Sequence, residues 1–347
     1  MIQSRVENKD SNNIKLSIAI PTYNGAHYIR EALDSIISQW DDIDEEVEIV
    51  VSDNASTDQT AEIIREYQNK YPFIKYFRND ENIGADRNFD SAVRRSTGEY
   101  VWLFSDNDKM TPEAIREVLK VIRSHKDLAV IAVNYSIFDE KLGKNIKDRV
   151  VSEYENILFE SAHDFWDKLD ILSALVSVNI VRRSLWNDSN VEYFYSTNWL
   201  HVGAIISILP NRKSFFISCP LVQIISGPTG WEIGGNGLRY SIMLEDVFYT
   251  MNKLGYDEYT LDKILKSFFK RLPATIISAK KNGLVLSFDL LKNIYLRYAN
   301  HLSFWLLDLP LLLTPNQVYN HVYRSKIIKL IYRMTKKTYK KLKGGLS

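Results

Sequence analysis

Cysteine is almost absent from this chain: Cys219 is its single cysteine among 347 residues. One thiol cannot form an internal disulfide, which excludes a disulfide-stabilised scaffold, and an unpaired thiol is typical of a reducing compartment. Long apolar runs are also missing. No stretch reaches the roughly 18–20 uninterrupted apolar residues of a membrane-spanning helix. The nearest, residues 304–313, is interrupted by Asp308 and Pro310.

Two common phosphate-binding motifs are missing as well. No Gly-x-Gly-x-x-Gly follows the first predicted strand, and Gly-Lys-Ser/Thr occurs nowhere. The dinucleotide fingerprint and the Walker loop are therefore excluded. If this protein binds a nucleoside diphosphate, its phosphates need a metal ion instead.

The net charge of the whole chain is close to zero, but positive charge is concentrated in one segment. The formal net charge is +1, yet residues 324–343 carry nine Lys or Arg and no acid. The rest of the chain holds 35 basic and 43 acidic residues, a balance of −8. The apolar residues Ile327, Ile331 and Met334 share one helical face of this basic tail. The pattern favours an anionic membrane surface as partner; nucleic acid is the competing anion, but nothing else in the chain is typical of a nucleic-acid-binding module.

Apolar runs alternate with helix-like spacing over the first 135 residues. Strands are predicted at 16–20, 47–51, 73–77, 100–104 and 128–133, and helices at 26–40, 60–71, 85–96 and after Thr111. Ser56 with Gln59, and Thr111 with Pro112, are interpreted as helix-start signals. This alternation predicts an α/β fold with a mostly parallel sheet flanked by helices. From Ile242 onward the pattern is largely helical.

Polar residues gather where the first four predicted strands end. They are PTYNG at 21–25, SDNASTD at 52–58, NIG at 82–84 and SDND at 105–108. In parallel sheets, ligands bind beyond the carboxyl ends of the strands. Four strand exits are therefore expected to form one crevice.

Three carboxylates in this predicted crevice are candidate ligands. Asp106 and Asp108 are spaced to present oxygens to Mn²⁺ or Mg²⁺, which often takes one or two protein ligands and completes its shell with phosphate. The alternative is a solvated loop whose acids favour the next helix dipole. Asp53 is able to accept hydrogen bonds from a base or a ribose; alternatively it is a turn or cap residue.

Three segments together carry a resemblance to a known family. LSIAIPTYNGAHYIREALDSII, VEIVVSDNASTDQTAEII and NDENIGADRNFDSAVRRSTGEYVWLFSDND occur in this order within residues 15–125. As a set they resemble family 2 glycosyltransferases, whose fold is the Rossmann-like GT-A fold. SDND, in place of the commoner Asp-x-Asp-Asp, resembles the branch of abequosyltransferase-like enzymes of bacterial surface polysaccharides. The similarity becomes scattered towards residue 240.

The resemblance implies a nucleoside-diphosphate-sugar donor and a divalent metal, Mn²⁺ or Mg²⁺. By similarity, residues at or just after the four strand exits bind the donor, namely Pro21, Thr22, Tyr23, Asp53, Asn82, Arg87 and Asp106. Asp106 and Asp108 fall within the metal motif. When the Asp-x-Asp-Asp motif is aligned with its last acid at Asp108, Ser105 and Asn107 occupy the positions of its first and third acids. Asp106 is therefore expected to substitute for a missing acid as metal ligand.

The resemblance also implies an inverting displacement at the anomeric carbon, with a base that removes the acceptor's proton. Many relatives supply this base as an Asp in a Glu-Asp pair, but the corresponding stretch, 196–201, contains no acid. His201 is the leading candidate because imidazole titrates near neutral pH. A hydrogen-bonded structural histidine is the alternative, and Asp188 and Glu192 are further candidates.

Domain organisation is predicted from these patterns. A flexible arm, 1–14, precedes a GT-A domain at 15–225, with a nucleotide-sugar half at 15–125 and an acceptor half at 126–225. Residues 226–300 are predicted to form a lid loop and a helical region. Glycines around Trp231 permit a lid over donor or acceptor, and an ordinary mobile surface loop is the alternative. Residues 301–347 are predicted to be a membrane-associating tail.

The sequence thus predicts a metal-dependent inverting glycosyltransferase, hexosyl or deoxyhexosyl, of O-antigen or other bacterial surface polysaccharide synthesis. The acceptor is expected to be a glycan or a polyprenyl-diphosphate-linked sugar, and the location the inner face of the cell membrane. Alternatives are a nucleotidyltransferase, which is expected to show a glycine- and arginine-rich first loop that PTYNGAHYIR lacks, and a degenerate glycan-binding or scaffold protein. The sequence leaves the oligomeric state open.

Overall fold

A computed structural model of the chain describes residues 14–40, 46–140, 142–226 and 236–318. It divides into two compact units. The N-terminal unit comprises residues 1–227 and 243–267, and the C-terminal unit comprises 228–242 and 268–347. The predicted boundary near residue 225 lies close to the end of the first segment, whereas residues 243–267 join the N-terminal unit.

Ten strands form one sheet in the N-terminal unit. Their bounds are β1 Leu16–Thr22, β2 Val47–Asp53, β3 Ile74–Arg78, β4 Tyr100–Leu103, β5 Lys109–Met110, β6 Val130–Asp139, β7 Lys144–Lys147, β8 Ile157–Phe159, β9 Asn179–Arg182 and β10 Ser214–Ser226. The strand order is β3-β2-β1-β4-β9-β6-β10-β5, with β7 on β6 and β8 on β10. Strands β3, β2, β1 and β4 are mutually parallel, as are β6 and β10. Strand β9 runs antiparallel to its neighbours β4 and β6.

Helices flank this sheet and continue beyond it. Their bounds are α1 Ile29–Ile37, α2 Thr60–Lys70, α3 Ala85–Arg95, α4 Ala114–Ser124, α5 Ala162–Leu169, α6 Arg183–Asp188, α7 Leu200–Ile208, α8 Gly237–Tyr249, α9 Glu258–Lys281, α10 Phe288–Tyr298 and α11 Leu309–Leu313. A π-helix, Phe304–Asp308, leads directly into α11. No helix in the described ranges is both long enough and apolar enough to cross a bilayer.

The predicted α/β fold is confirmed: a mixed sheet with a parallel half is flanked by helices, and a helical region follows. The physical basis is burial on both faces of the central strands. Every residue of β1, β2 and β4 is buried, as expected for strands that helices cover on both sides. The apolar faces of α1 and α4 pack into the same core.

Two predicted helix starts are corrected by the structure. Glu113, in a left-handed conformation (φ 69°), precedes the first residue of α4, so Thr111 is not its N-cap. At α2, Asp58 does the capping: its Oδ1 accepts hydrogen bonds from the Thr60 amide (3.0 Å) and hydroxyl. Ser56 is buried and instead accepts from the Asn24 amide at 2.9 Å. Both helix-start motifs are present in the sequence, but tertiary contacts give the Ser56 and Thr111 side chains other hydrogen-bond partners.

The C-terminal unit has its own small apolar core. It draws on α8, α9, α10, the π-helix and α11 and includes Ile276, Ile294, Phe304 and Leu312. Two side chains bond to carbonyls at the end of this unit: Lys280 Nζ donates to the Thr314 carbonyl at 2.6 Å, and Asn316 Nδ2 donates to the Leu284 carbonyl at 2.8 Å.

Candidate active site

The exits of the first four strands are joined by hydrogen bonds. The Asn54 amide after β2 donates to the Thr22 carbonyl at the end of β1 (2.9 Å). The Asn54 side chain donates to Asn82 Oδ1 beyond β3 (2.8 Å). Thr22 Oγ1 donates to Asp106 Oδ2 beyond β4 (2.5 Å). The four polar segments therefore lie at one edge of the sheet, as the sequence predicted.

Asn88 fastens helix α3 beneath these exits. Its Oδ1 accepts from Ser52 Oγ (2.8 Å) and Asn79 Nδ2 (3.2 Å), and its Nδ2 donates to the Ser52 carbonyl (2.9 Å) and the Thr22 carbonyl (3.4 Å). A buried amide with both ends satisfied holds its neighbours in one arrangement. Asn88 is not among the site residues predicted from the sequence. The clue in the sequence is its position midway between Asp86 and Asp90 in ADRNFD. All three of these polar residues are buried in the structure.

Gly25 permits the close approach between the first and fourth exits. A Cβ at residue 25 would lie 2.4 Å from Asp106 Oδ2 and 2.4 Å from Thr22 Oγ1. Those distances are far inside van der Waals contact, so any side chain would separate the Thr22–Asp106 pair. Glycine is thus required here by space.

Asp108 is held differently from Asp106. Asp108 is 5% exposed, and its Oδ2 accepts from Ser177 Oγ at 2.6 Å. Ser177 Oγ in turn accepts from the Ser105 amide at 2.9 Å, and the Ser177 carbonyl accepts from Trp102 Nε1 at 2.8 Å. Asp108 therefore anchors the loop after β4 to the segment before β9, while the half-buried Asp106 faces the first exit.

Burial disfavours the ionised form of both carboxyl groups. It raises the pKa of Asp106 to about 6 and that of Asp108 to about 7, and the charges of Asp58 and Asp106, respectively, add to these shifts. A bound cation would relieve this unfavourable concentration of negative charge. The described residues contain no cluster of three His, Cys, Asp or Glu side chains suited to a metal. The donor set thus fits an ion with one or two protein carboxylates and oxygens from a ligand.

Asp53 is fully enclosed by protein partners. Its Oδ1 accepts from the Ser56 amide at 2.8 Å, and its Oδ2 accepts from Tyr76 Oη at 2.7 Å and Arg78 Nη1 at 2.9 Å. The side chain is 0% exposed. This geometry is that of the alternative interpretation, a residue that shapes the turn after β2. A direct contact from Asp53 to a base or ribose would require Tyr76 or Arg78 to move.

The other predicted donor residues differ in exposure. Pro21 and Thr22 are buried at the end of β1, and Tyr23 is exposed. Asn82 is exposed, but its Oδ1 accepts from Asn54 Nδ2 and the Gly84 amide. Arg87 is exposed at the start of α3.

Arg87 rests on a prepared aromatic surface. Its guanidinium lies 4.4 Å from the Tyr195 ring centroid. Tyr195 Oη donates to Asp90 Oδ2 at 2.7 Å, and Trp186 Nε1 donates to Asp90 Oδ1 at 2.9 Å. The ring is thus fixed and orients the arginine by a cation–π contact.

A second acid of α3, Asp86, holds the loop before α7. Asp86 is 4% exposed, its Oδ2 accepts from the Asn198 amide at 2.8 Å, and its Oδ1 accepts from the Leu200 amide at 3.2 Å. Ser196 and Asn198 adopt positive φ values of 68° and 61°, which turn these amides inward. Since α3 begins beside the strand exits, Asp86 brings residues 196–200 close to those exits.

His201 follows this loop but is enclosed. It is 3% exposed, its Nε2 lies 2.8 Å from the Ala174 carbonyl, and its ring packs against Phe89 and Trp199. Burial lowers its pKa to about 4. Nδ1 is buried without a hydrogen-bond partner among the described residues. These surroundings are those of a neutral structural histidine and weigh against a base that titrates near pH 7.

The two acidic candidates are exposed. Asp188 ends α6, whose first residue, Arg183, is hydrogen-bonded to the Glu99 carbonyl at the amino end of β4. Asp188 is therefore the last residue of a helix that starts at the amino end of β4, opposite the polar strand exits. Glu192 lies nearer to Tyr195, whose pKa its charge helps to raise. Trp231, the predicted lid residue, and residues 324–343 of the predicted tail lie outside the described ranges.

Comparison with known proteins identifies the family. Residues 17–188, all in the N-terminal unit, match the family model "Glycosyl transferase family 2". Abequosyltransferase RfbV of Salmonella typhimurium is 28% identical over 284 residues, 74% of this chain and 79% of the relative. This chain belongs to glycosyltransferase family 2. The enzyme class predicted from the sequence, a glycosyltransferase, is confirmed.

Other proteins are similar to this glycosyltransferase in sequence or in fold. Poly(ribitol-phosphate) beta-N-acetylglucosaminyltransferase TarS of Staphylococcus aureus is 35% identical over 115 residues, 32% of this chain but 19% of TarS. The structure of TarS 1-349 with UDP-GlcNAc has a TM-score of 0.58 at 18% identity and covers 90% of this chain and 92% of its own. A mannosyltransferase of Pyrobaculum calidifontis, solved with GDP-Man and Mn²⁺, has a TM-score of 0.50 at 18% identity, with 92% and 88% covered.

Proposed function

We propose that this enzyme transfers a hexosyl or deoxyhexosyl group from a nucleoside-diphosphate-sugar to a glycan or polyprenyl-diphosphate-linked acceptor, with inversion, in bacterial surface polysaccharide synthesis. The observation that carries the proposal is the junction of four strand exits around the Thr22–Asp106 contact. The similarity to an abequosyltransferase supports a polysaccharide substrate, and the donors bound by TarS and the mannosyltransferase support a nucleotide-sugar.

The donor diphosphate is proposed to lie between the first and fourth exits. Asp106, with Asp108 behind it, would hold Mn²⁺ or Mg²⁺, which neutralises charge on a departing diphosphate. Thr22 fixes the Asp106 carboxylate, and Arg87, oriented by Tyr195, offers a cation to phosphate oxygens. Pro21, Tyr23, Asp53 and Asn82 remain predicted to surround the nucleoside, Asp53 through the turn that it shapes.

In the proposed reaction the acceptor oxygen bonds to the anomeric carbon as the bond to the diphosphate oxygen breaks. The bonding pair leaves with the diphosphate, and a base takes the acceptor's proton. His201 and Asp188 remain the predicted bases, and Glu192 is a further candidate. The burial of His201 makes an exposed acid the stronger candidate. Comparing His201→Gln, Asp188→Asn and Glu192→Gln in one transfer assay decides among them, since only the base variant loses turnover while still binding donor.

A thermal-shift screen of nucleoside-diphosphate sugars with Mn²⁺ tests the donor proposal. A ligand that binds only the folded state raises the melting temperature by mass action. We expect one nucleotide-sugar to give a shift that requires Mn²⁺ and that Asp106→Asn abolishes. Product NMR then reads the anomeric configuration. A metal-dependent shift with no sugar selectivity would contradict the proposed donor class, and retention of configuration would contradict inversion.

A further inference from the structure

The C-terminal unit exposes a large amount of apolar surface. Nine large apolar side chains are exposed within residues 285–318, and only one of them is a tyrosine. In the N-terminal unit, nine are exposed across residues 23–259, and five of those are tyrosines. Concentrated exposed apolar surface on a folded unit marks an interaction site.

The segment 302–313 reverses the usual amphipathic pattern. Its most exposed side chains are apolar and lie on one helical face: Leu302 (71%), Trp305 (46%), Leu306 (70%) and Leu313 (55%). The single charged residue of the segment, Asp308, is 1% exposed and lies on the buried side with Phe304 and Leu312. One Asp308 carboxylate oxygen has no hydrogen-bond partner among the described residues. A helix that directs leucines outward and its only acid inward is not adapted to water.

Helix α10 continues this apolar surface. The Tyr295 ring packs edge-on against Trp305, with centroids 5.9 Å apart, and Tyr295 is 45% exposed. Trp305 Nε1 donates to the Ala299 carbonyl at 2.7 Å, so the indole presents ring area and no free N–H. We call the surface formed by Tyr295, Leu302, Trp305, Leu306 and Leu313 the apolar ridge.

Several observations favour a lipid surface as the occupant of the ridge. Tryptophan and tyrosine are enriched at the boundary between headgroups and acyl chains. The ridge is too short to span a bilayer, which suits an element that lies in the interface plane. Nine Lys or Arg and no acid follow it within residues 324–343. Basic residues close to an anionic leaflet are attracted to its negative surface potential.

We propose that the apolar ridge inserts into the interfacial region of an anionic bilayer. This proposal names the surface that would contact lipid at the membrane location predicted from the sequence. It does not depend on the identity of the sugar donor or of the base.

Site-specific fluorescence on the full chain tests the ridge. Cys219→Ser removes the single cysteine, and Leu306→Cys then carries a nitrobenzoxadiazole label. Leu142→Cys, at a 60% exposed leucine of the N-terminal unit, is the matched control. With vesicles of equimolar phosphatidylcholine and phosphatidylglycerol, we expect a blue shift and a several-fold intensity rise at residue 306 and no change at 142. Equal responses at both positions would overturn the proposal.

Unlabelled variants supply a second measurement. Leu306→Glu is expected to weaken vesicle binding about tenfold, because it removes a leucine and adds a charge repelled by the anionic surface. Leu142→Glu should bind like the parent protein. A donor-induced thermal shift equal to that of the parent shows that Leu306→Glu is folded. Undiminished vesicle binding by the folded Leu306→Glu protein counts against the ridge.

Other occupants give different results. A label at 306 that responds to protein concentration without lipid indicates a second copy of the chain, and one that responds to deletion of 319–347 without lipid indicates the chain's own tail; either overturns the proposal. If the protein floats with vesicles but the label at residue 306 gives no signal, the ridge is rejected as the lipid contact, and a membrane location through the tail is kept. No flotation at all removes both and leaves the glycosyltransferase proposal intact.

Discussion

Carboxyl groups with a raised pKa occur in both units, but their surroundings differ. Burial raises the pKa of Asp106 to about 6, that of Asp108 to about 7, and that of Asp308 to about 7. In the N-terminal unit, Thr22 and Ser177 donate hydrogen bonds to two of these acids, at the meeting point of four strand exits. In the C-terminal unit, Asp308 lies in an apolar core under exposed leucines. A raised pKa therefore indicates burial, and the surroundings decide whether it indicates a site.

The largest expected effect separates these acids by activity. Asp106→Asn should lower sugar transfer on the order of 100-fold, as loss of one group that stabilises transition-state charge does. Asp308→Asn should leave transfer within about twofold of the parent, because the residue lies in the other unit. Initial rates at saturating donor, with and without added Mn²⁺, measure both. Similar losses in the two variants would break the comparison.

A smaller effect is expected from the acid that holds the loop before α7. Asp86→Ala frees the amides of 196–200, so turnover should fall about tenfold, since a misplaced loop loses orientation. The donor KM should stay nearly constant. Asp80→Asn, at an exposed acid in the segment before α3, is the matched control. An equal rise in donor KM would show that Asp86 shapes donor binding instead.

The histidine beside that loop predicts a pH effect on stability. The folded-state pKa of His201 is about 4, below its usual value of 6.5. The unfolded chain thus binds the proton first, and stability present above pH 6.5 is lost as pH falls toward 4. The shift corresponds to a free energy on the order of 3 kcal/mol. His201→Gln should flatten this part of the unfolding free energy profile, measured by urea denaturation between pH 4 and 7. An unchanged slope would show that other groups dominate acid unfolding.

A further pH effect on stability concerns Asp308 and has the opposite sign. Its raised pKa means that ionisation costs stability as pH rises from about 4 through about 7. Asp308→Asn should therefore raise the melting temperature by a few degrees at pH 8 and by nothing at pH 4. Differential scanning fluorimetry at both pH values measures this. A gain at pH 4 equal to that at pH 8 would attribute the effect to packing.

Sequence patterns predicted the sheet well because central strands must be apolar on both faces. The apolar runs at 47–51 and 100–104 became β2 and β4 to within two residues, and the polar segments after them met as predicted. The helix-start signals were weaker, because Ser56 was recruited by Asn24 of another strand exit. Competition of this kind depends on three-dimensional proximity and leaves no mark in the local sequence.

The sequence by itself determined the α/β alternation, the glycosyltransferase resemblance and the positions of the polar exits, because each is a local pattern of apolar and polar residues. Only the tertiary structure decided how those groups are used. It enclosed Asp53 between Tyr76 and Arg78, buried His201 under Ala174, and turned Asp308 inward beneath exposed leucines. A side chain's ionisation and reach follow from its solvent access and its partners, and both are set by segments far away along the chain.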